Sequence, residues 1–252
     1  MSTQPAPVTG RRVAVVTGGG SGIGRASVAR LAAEDFAVAV VDIDADAAAG
    51  AAGEAGIGIG ADVASQADVE RAIGQVIDAF DHIDVLVNNA GITGSAAATV
   101  CHETPVEDWD RVFAVNVRGA FLCARATLPA MLRRGSGHVI TVASAAGLIA
   151  FPGRCAYTAS KGAALQLTRS LAVDYAGAGI RANAVCPGFV QTPMTQWRLD
   201  VPELRARVEA NIPLGRVAQP DEIAEAIVLL ASDRLAYMTG AALVIDGGWT
   251  AL

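Results

Sequence analysis

Seven short segments rich in valine, isoleucine and alanine recur along the chain. Their apolar residues are continuous and do not alternate with polar ones, which is typical of strands buried on both faces of a parallel sheet. The segments are RVAVVTG from 12, AVAVVDID from 37, IGIGADV from 57, IDVLVNNAG from 83, GHVITVAS from 137, RANAVCPG from 181 and ALVIDGG from 242. We therefore predict a parallel sheet of about seven strands.

Alanine-rich stretches with helical spacing separate these segments, at 22–35, 45–55, 66–80, 106–133, 156–176 and 220–232. Regular alternation of strand and helix predicts a doubly wound α/β fold, with helices on both faces of the sheet. Neither a long polar linker nor a change in composition divides the chain. We predict one domain over residues 11–252, preceded by a flexible N-terminus at 1–10.

One segment, residues 189–218, interrupts the alternation. It contains three prolines and a single short helical pattern, at 202–210. Long insertions in compact domains are often functional, for example as lids over a site, so we expect a substrate lid here. A surface excursion without function is the alternative.

Composition restricts the classes of partner. The 252 residues are 52% hydrophobic and carry a formal net charge of -6, and the arginines are scattered, which favours small ligands over nucleic acid. The four cysteines occur singly, without metal-ligand spacing, so we expect reduced thiols and no metal. The polar N-terminus is unlike a signal sequence, and no long apolar stretch spans a membrane, so we expect a cytoplasmic protein.

The first predicted strand ends in TGGGSGIG, where Gly18, Gly22 and Gly24 follow a GxxxGxG spacing. Glycines allow the backbone to approach a pyrophosphate, and the helix that follows offers free N–H groups and the positive end of its dipole. A strand, this loop and a helix together favour a Rossmann-type dinucleotide site. A tight turn that only requires glycine is the alternative.

An acidic residue, Asp42, ends the second predicted strand about 20 residues after the loop, as in dinucleotide-binding proteins. A carboxylate there accepts hydrogen bonds from the adenosine ribose hydroxyls and repels a 2′-phosphate. We therefore predict NAD as the cofactor in preference to NADP. A helix N-cap is the alternative role for Asp42.

The only lysine of the chain, Lys161, stands among eighteen arginines and follows Tyr157 by four positions. This spacing places both side chains on one helical face. A nearby ammonium favours the phenolate and lowers the pKa of a phenol, which prepares it as a proton acceptor. A solvated pair on a helix surface is the alternative.

Together these residues resemble the short-chain dehydrogenase/reductase family in its form of about 250 residues, over nearly the whole chain. TGGGSGIG is similar to the family's glycine loop, ADV at 61–63 to its adenine-contacting aspartate, and NNAG at 88–91 to its fourth-strand motif. PGFVQTP at 187–193 is similar to the segment beside the nicotinamide. The resemblance implies a catalytic tetrad of Asn116, Ser144, Tyr157 and Lys161, in which Tyr157 is the general acid/base.

By resemblance, Lys161 also holds the nicotinamide ribose and Asn116 fixes a water of a proton relay. The resemblance and the glycine loop together assign the cofactor to Gly18, Ser21, Gly22, Ile23, Gly24, Asp42, Ile43, Asp62, Val63, Asn89, Ala90, Gly91, Tyr157, Lys161, Pro187, Gly188, Val190 and Thr192.

Substrate contacts are expected at Ser144, Ala146, Leu148, Arg154, Tyr157, Gly188, Met194 and Trp197. This mostly apolar set suggests a secondary alcohol or ketone with an apolar portion. Arg154 or Arg198 is an alternative partner for a carboxylate or phosphate on the substrate.

We thus expect an NAD-dependent oxidoreductase that transfers hydride between nicotinamide and a secondary alcohol or ketone, assembled as a homotetramer. A 3-oxoacyl thioester reductase and a polyol dehydrogenase remain open within this class. A non-catalytic dinucleotide-sensing protein and an epimerase or lyase are the alternatives outside it. The three histidines and Cys155 are expected to have no catalytic role.

Overall fold

The computed structural model of the protein describes residues 10–251. Its sheet has seven parallel strands in the order β3-β2-β1-β4-β5-β6-β7. They are β1 (Val13–Thr17), β2 (Ala37–Asp42), β3 (Gly56–Gly60), β4 (Val85–Asn88), β5 (Gly137–Val142), β6 (Ile180–Pro187) and β7 (Ala242–Ile245). All seven strand predictions are confirmed, whereas the predicted flexible segment 1–10 lies, except for Gly10, outside the described residues.

Nine α-helices occur among the described residues. They are α1 (Gly22–Ala33), α2 (Ala45–Ala52), α3 (Gln66–Phe80), α4 (Val106–Phe113), α5 (Ala120–Arg134), α6 (Cys155–Tyr175), α7 (Pro193–Leu199), α8 (Pro202–Glu209) and α9 (Pro220–Ala231). The spacing of apolar residues in the sequence predicted α3 at the same bounds. The predicted single Rossmann-type domain is confirmed.

Successive residues of each central strand enter different cores. Val13 and Val15 of β1 pack with residues of α3, α5 and α6, whereas Ala14 and Val16 pack with residues of α1, α2 and α9. Because helices cover both faces, most residues of the central strands are apolar on both faces. This arrangement explains the continuous apolar runs in the sequence.

The helical stretch predicted at 106–133 is not one regular α-helix. A π-helical turn, Ala114–Gly119, joins α4 to α5. Such turns contain one extra residue and frequently lie at functional sites. Asn116 lies within this turn, and its side chain bonds the backbone of Ile92 after β4. The turn therefore attaches the helix to the segment that follows β4.

The segment 189–218 contains two helices, α7 and α8, where the sequence analysis predicted only the second. The missed helix has seven residues, too few for a periodic pattern. Its signal was local: Thr192 and Thr195 form a capping box, and Pro193 occupies the first turn. The segment has a small core of its own, formed by Leu199, Val208, Ile212 and Val217.

Candidate active site

A cleft of ≈ 340 Å³ lies at the carboxyl ends of the parallel strands. The strand order reverses between β1 and β4. From β1 the chain adds β2 and β3 on one side, and it then adds β4 to β7 on the other side of β1. Open α/β sheets bind ligands at such a switch point. Residues that follow β1, β2, β4, β5 and β6 meet there, together with the start of α7.

The glycine loop packs too closely for side chains. A Cβ on Gly18, whose φ is +62°, would lie 2.8 Å from the Ala90 Cα, and one on Gly24 would lie 2.1 Å from the Gly18 carbonyl oxygen. The Asn89 side chain bridges this loop to β4, because its Nδ2 donates to the carbonyls of Thr17 at 2.9 Å and Gly18 at 3.0 Å. The loop thus presents backbone and the N-terminus of α1 to the cleft.

Asp42 supports the glycine loop as well as facing the cleft. The Gly20 N–H donates to its Oδ2 at 2.8 Å, and the Asp44 N–H donates to its Oδ1 at 3.1 Å. The helix that follows is capped by Asp44, which accepts from the Ala47 N–H. The alternative role of Asp42 as the N-cap of α2 is therefore wrong. Asp42 also forms part of the wall of the cleft.

Asp62, Val63 and Ile43 also line the cleft. The Ala64 N–H donates to Asp62 Oδ1 at 2.8 Å, which fixes the carboxylate on a tight turn. The Ile43 side chain is 78% exposed, which is unusual for so apolar a residue. These residues suit the flat, partly apolar face of an adenine ring.

Ser144 and Tyr157 meet at the opposite end. Ser144 follows β5 and is the N-cap of a short 3₁₀ turn, where its buried hydroxyl accepts from the Ala146 N–H at 3.1 Å. Burial raises the pKa of the Tyr157 phenol, and its hydrogen bond with Ser144 acts in the opposite direction. We predicted that Lys161 would lower this pKa; the structure places the larger influence in burial.

Lys161 is buried one helical turn after Tyr157, and its Nζ donates to the Val142 carbonyl oxygen at 2.8 Å. Burial lowers the pKa of Lys161 to about 8. The predicted pairing on one face of α6 is observed, and the alternative of a solvated surface pair is wrong. The ammonium is therefore held against the end of β5.

Asn116 is buried behind this wall. Its Nδ2 donates to the Ile92 carbonyl and to Ser160 Oγ, both at 2.9 Å, while its Oδ1 accepts from the Ile92 N–H at 2.8 Å. Ser160 Oγ in turn donates to the Tyr157 carbonyl at 2.8 Å. Asn116 therefore connects the π-helical turn, the segment after β4 and the helix of Tyr157 and Lys161.

Every predicted cofactor residue except Gly24 lines the cleft, and Gly24 packs behind Gly18. Of the predicted substrate residues, Ser144, Tyr157, Gly188 and Met194 line it, whereas Ala146, Leu148, Arg154 and Trp197 lie outside its wall. Sequence reasoning missed several wall residues, which are Val41, Ala61, Ile92, Val115, Val142, Ala143, Pro193 and Thr195. Ala61 and Pro193 belong to motifs quoted from the sequence, and most of the others are adjacent in the sequence to a motif residue.

Two arginines are close in sequence to wall residues of the cleft but do not line it. Arg154 directly precedes α6. Arg198 follows the wall residue Met194 by four positions on α7, so Met194 and Arg198 share one face of that helix. Within residues 10–251 neither guanidinium lies within 4.0 Å of a carboxylate. Partial burial and then the Arg154 charge lower the pKa of Arg198. Arg154 Nη1 donates to the Ala98 carbonyl at 3.4 Å, and the Arg198 guanidinium lies 4.9 Å from the centroid of the Trp197 ring, so the described contacts of both cations leave their charge without a carboxylate.

The histidines lie away from the cleft. His82 is half-buried and pairs with Asp84 at 3.2 Å, whereas His102 is exposed. His138 is buried, and Asn183 Nδ2 lies 2.9 Å from its Nε2. Burial lowers the pKa of His138 to about 3. In the described part of the chain, no three His, Cys, Asp or Glu side chains group to hold a metal.

Over the residues that the structure describes, no helix combines the length and apolar character needed to cross a bilayer.

Comparison with known proteins agrees with this geometry. The family model described as enoyl-(acyl carrier protein) reductase matches residues 18–250. The chain is 52% identical to a 2-(R)-hydroxypropyl-CoM dehydrogenase of Xanthobacter autotrophicus, over 96% of this chain and 99% of that protein. It is 43% identical to 2-(S)-hydroxypropyl-CoM dehydrogenase 3 of the same bacterium, over 95% and 97% of the two chains.

Among solved structures, a 3-ketoacyl-(acyl-carrier-protein) reductase from Brucella melitensis complexed with NADH superposes with a TM-score of 0.88. It is 34% identical and covers 95% of this chain and 98% of its own. The matched sequences and the parallel sheet with its cleft lead to one conclusion: the chain belongs to the short-chain dehydrogenase/reductase family and is an oxidoreductase that acts on a CH–OH group.

Proposed function

We propose that the protein is an NAD-dependent dehydrogenase or ketoreductase of secondary alcohols and ketones, with Tyr157 as general acid/base. The observation that carries the proposal is that Ser144, Tyr157 and Lys161 line the same cleft as the glycine loop. A nicotinamide bound there supplies or accepts hydride. The side chains at this end of the cleft then have to move one proton and stabilise one oxygen.

Tyr157 performs the proton transfer in this proposal. With its pKa raised by burial, the neutral phenol is a donor to the oxygen of a ketone at neutral pH, and the alcohol direction requires its deprotonation. Ser144 bonds the same substrate oxygen and the Lys161 ammonium favours the phenolate that forms. Asn116 holds the helix that carries Tyr157 and Lys161 against the segment after β4.

The cofactor assignment rests on Asp42. Its carboxylate stands at the ribose end of the cleft and engages the Gly20 N–H, so a 2′-phosphate would meet a negative charge and find that N–H occupied. The relative from Brucella melitensis is described with NADH. Both observations favour NAD over NADP, with the phosphates at Gly18 to Gly24 and the adenine between Ile43 and Val63.

The substrate is proposed to carry an anionic group. Two relatives are named for 2-hydroxypropyl-CoM, and coenzyme M is a thiol that carries a sulfonate. A secondary alcohol joined to a sulfonate fits a site where the reacting oxygen meets Tyr157 and the anion meets Arg154 and Arg198. A 3-oxoacyl thioester and a polyol remain the alternatives, and a polyol offers no anion to these arginines.

We also propose a cytoplasmic homotetramer. Apolar side chains stand exposed along α4, α5 and α6, namely Val106, Trp109, Phe121 and Val173. Clustered exposed apolar residues mark interaction surfaces, and isologous contacts between such helices would cover them. Light scattering that gives a monomer mass at working concentration would overturn this part of the proposal.

The test is an assay of NADH formation, with NADP in parallel, on 2-hydroxyalkyl thioether sulfonates, matched uncharged alcohols, polyols and 3-hydroxyacyl thioesters. We expect the sulfonates to give the highest kcat/KM, and Arg198→Gln to raise their KM by about 10- to 100-fold. The control is Arg205→Gln on α8, whose guanidinium pairs with Glu209. NADH binding without turnover of any substrate would instead favour the dinucleotide-sensing protein.

A further inference from the structure

The last aromatic residue of the chain, Trp249, joins two segments of the candidate active site. Its ring stacks on Phe151, with centroids 4.8 Å apart and planes inclined by 20°. It also meets Phe189, at 6.5 Å and 31°. Such aromatic pairs contribute about 0.5–1.5 kcal/mol beyond the area that they bury. Trp249 does not line the cleft, so any influence on a substrate passes through its neighbours.

These neighbours lead to the two arginines. Phe151 precedes Arg154 by three residues, in the segment between Ser144 and Tyr157. On the other side, Trp249 packs against the cluster that contains Leu199, the residue next to Arg198. The indole ring therefore contacts both the segment that contains Phe151 and Arg154 and the cluster next to Arg198. We expect a smaller side chain at position 249 to change the distance between these two segments.

The segment that presents Trp249 is itself held firmly. Asp246 accepts from the Gly248 N–H at 2.9 Å and, at its second oxygen, from the Thr250 N–H at 2.7 Å and Thr250 Oγ1 at 2.6 Å. The Leu214 N–H donates to the Gly247 carbonyl at 3.1 Å, which ties the end of the 189–218 segment to the same turn. A fixed turn makes the indole a rigid spacer.

We propose that Trp249 is a positioning residue that holds Arg154 and Arg198 at the separation needed to bind one anionic group of the substrate. The inference rests on the proposed anionic substrate. It assigns a specificity role to a side chain outside the cleft and close to the C-terminus. Since a guanidinium binds an anion through directed hydrogen bonds, an ångström of displacement is sufficient to weaken the site.

The experiment compares kcat and KM of wild type, Trp249→Ala and Phe151→Leu for a hydroxyalkyl sulfonate and for an uncharged alcohol of the same length. We expect both variants to raise KM for the sulfonate about tenfold, with kcat, KM for the uncharged alcohol and NADH affinity unchanged. Trp249→Phe keeps a stacking ring and restores most of the loss. The control is Tyr237→Ala, which removes a fully exposed aromatic side chain.

The outcomes separate the two proposals. A wild-type enzyme without preference for the sulfonate overturns the anionic substrate and, with it, this inference. A wild-type preference that both variants retain overturns the inference alone. So does an equal loss for charged and uncharged substrates, because that pattern belongs to a residue that only stabilises the fold. Should Trp249→Ala fail to fold, Phe151→Leu decides.

Discussion

The Nζ of Lys161 lies 5.7 Å from the centroid of the Tyr157 ring, within the distance at which a cation and an aromatic ring attract each other. The same nitrogen donates to the Val142 carbonyl at the end of β5. One helical turn of α6 thus places a phenol and an ammonium together, and the neighbouring strand holds the ammonium. This relationship accounts for a single lysine in a chain that otherwise uses arginine.

Removing the phenolic oxygen tests the role of Tyr157. Tyr157→Phe keeps the ring in the cleft and removes only the group that exchanges the proton, so we expect kcat to fall at least about 100-fold with the NADH dissociation constant unchanged. The matched control is Tyr175→Phe, at the other end of the same helix. Steady-state kinetics and NADH fluorescence measure both quantities. Normal turnover by Tyr157→Phe would assign the proton to another group.

Substitution of Asp42 tests cofactor selectivity. Asp42→Ala removes a negative charge and frees the Gly20 N–H, so we expect the ratio of kcat/KM for NAD to that for NADP to fall at least about tenfold. Asp46→Ala, in the first turn of α2, removes an equal charge away from the ribose and serves as control. If the ratio is the same in Asp42→Ala as in wild type, the ribose is recognised elsewhere.

Two glycine substitutions should act in opposite directions. In Gly24→Ala the new Cβ would meet the Gly18 carbonyl oxygen at 2.1 Å, so we expect weaker NADH binding and a loss of about 1–3 kcal/mol in the free energy of unfolding. Gly74 in α3 has open space around it, and Gly74→Ala should add about 0.4–1 kcal/mol. The gain is expected because alanine loses less backbone entropy than glycine when the helix forms. Urea unfolding of both variants measures the difference, and destabilisation by Gly74→Ala would contradict this expectation.

His138 should make the protein sensitive to acid. Burial lowers its pKa from 6.5 to about 3, so between these values the unfolded chain binds a proton that the folded chain does not. Stability contributed by the neutral imidazole is complete above pH 6.5 and is lost as the pH falls toward 3. The slope from this one group is at most about 1.4 kcal/mol per pH unit.

We therefore expect the free energy of unfolding of His138→Gln to depend less steeply on pH than that of wild type over the same acidic range. His102→Gln removes an exposed imidazole and is expected to leave the slope unchanged. Urea titrations at several pH values provide the comparison. Equal slopes for all three proteins would mean that His138 titrates with a nearly ordinary pKa.

The strands and the first half of the cleft were predictable from local sequence. The first four residues of β1, Val13 to Val16, are all apolar because helices cover both faces of the strand, and that requirement is visible in the local sequence. The glycine loop was predictable for a similar reason: Gly18 and Gly24 lie where no Cβ fits, and the steric demand allows almost no other residue. Tyr157 and Lys161 followed from the geometry of a single helix.

Features that depend on a second segment were not predictable. The N-cap of α2 is Asp44 and not Asp42, because Asp42 is engaged by Gly20 from a loop 22 residues away. The π-helical turn at Asn116 depends on the backbone of Ile92, and the raised pKa of Tyr157 depends on the burial of the phenol. No local pattern contains these partners.

By itself, then, the sequence determined the alternation of strands and helices, the glycine loop and the spacing of Tyr157 and Lys161, since each depends on residues that are close together in the sequence. Only the tertiary structure decided which way the Lys161 ammonium points, which residues form the wall of the cleft, and that Trp249 stacks on Phe151 almost 100 residues earlier. Packing between distant segments sets those directions and contacts, because the side chains compete for the same space only after the chain has folded.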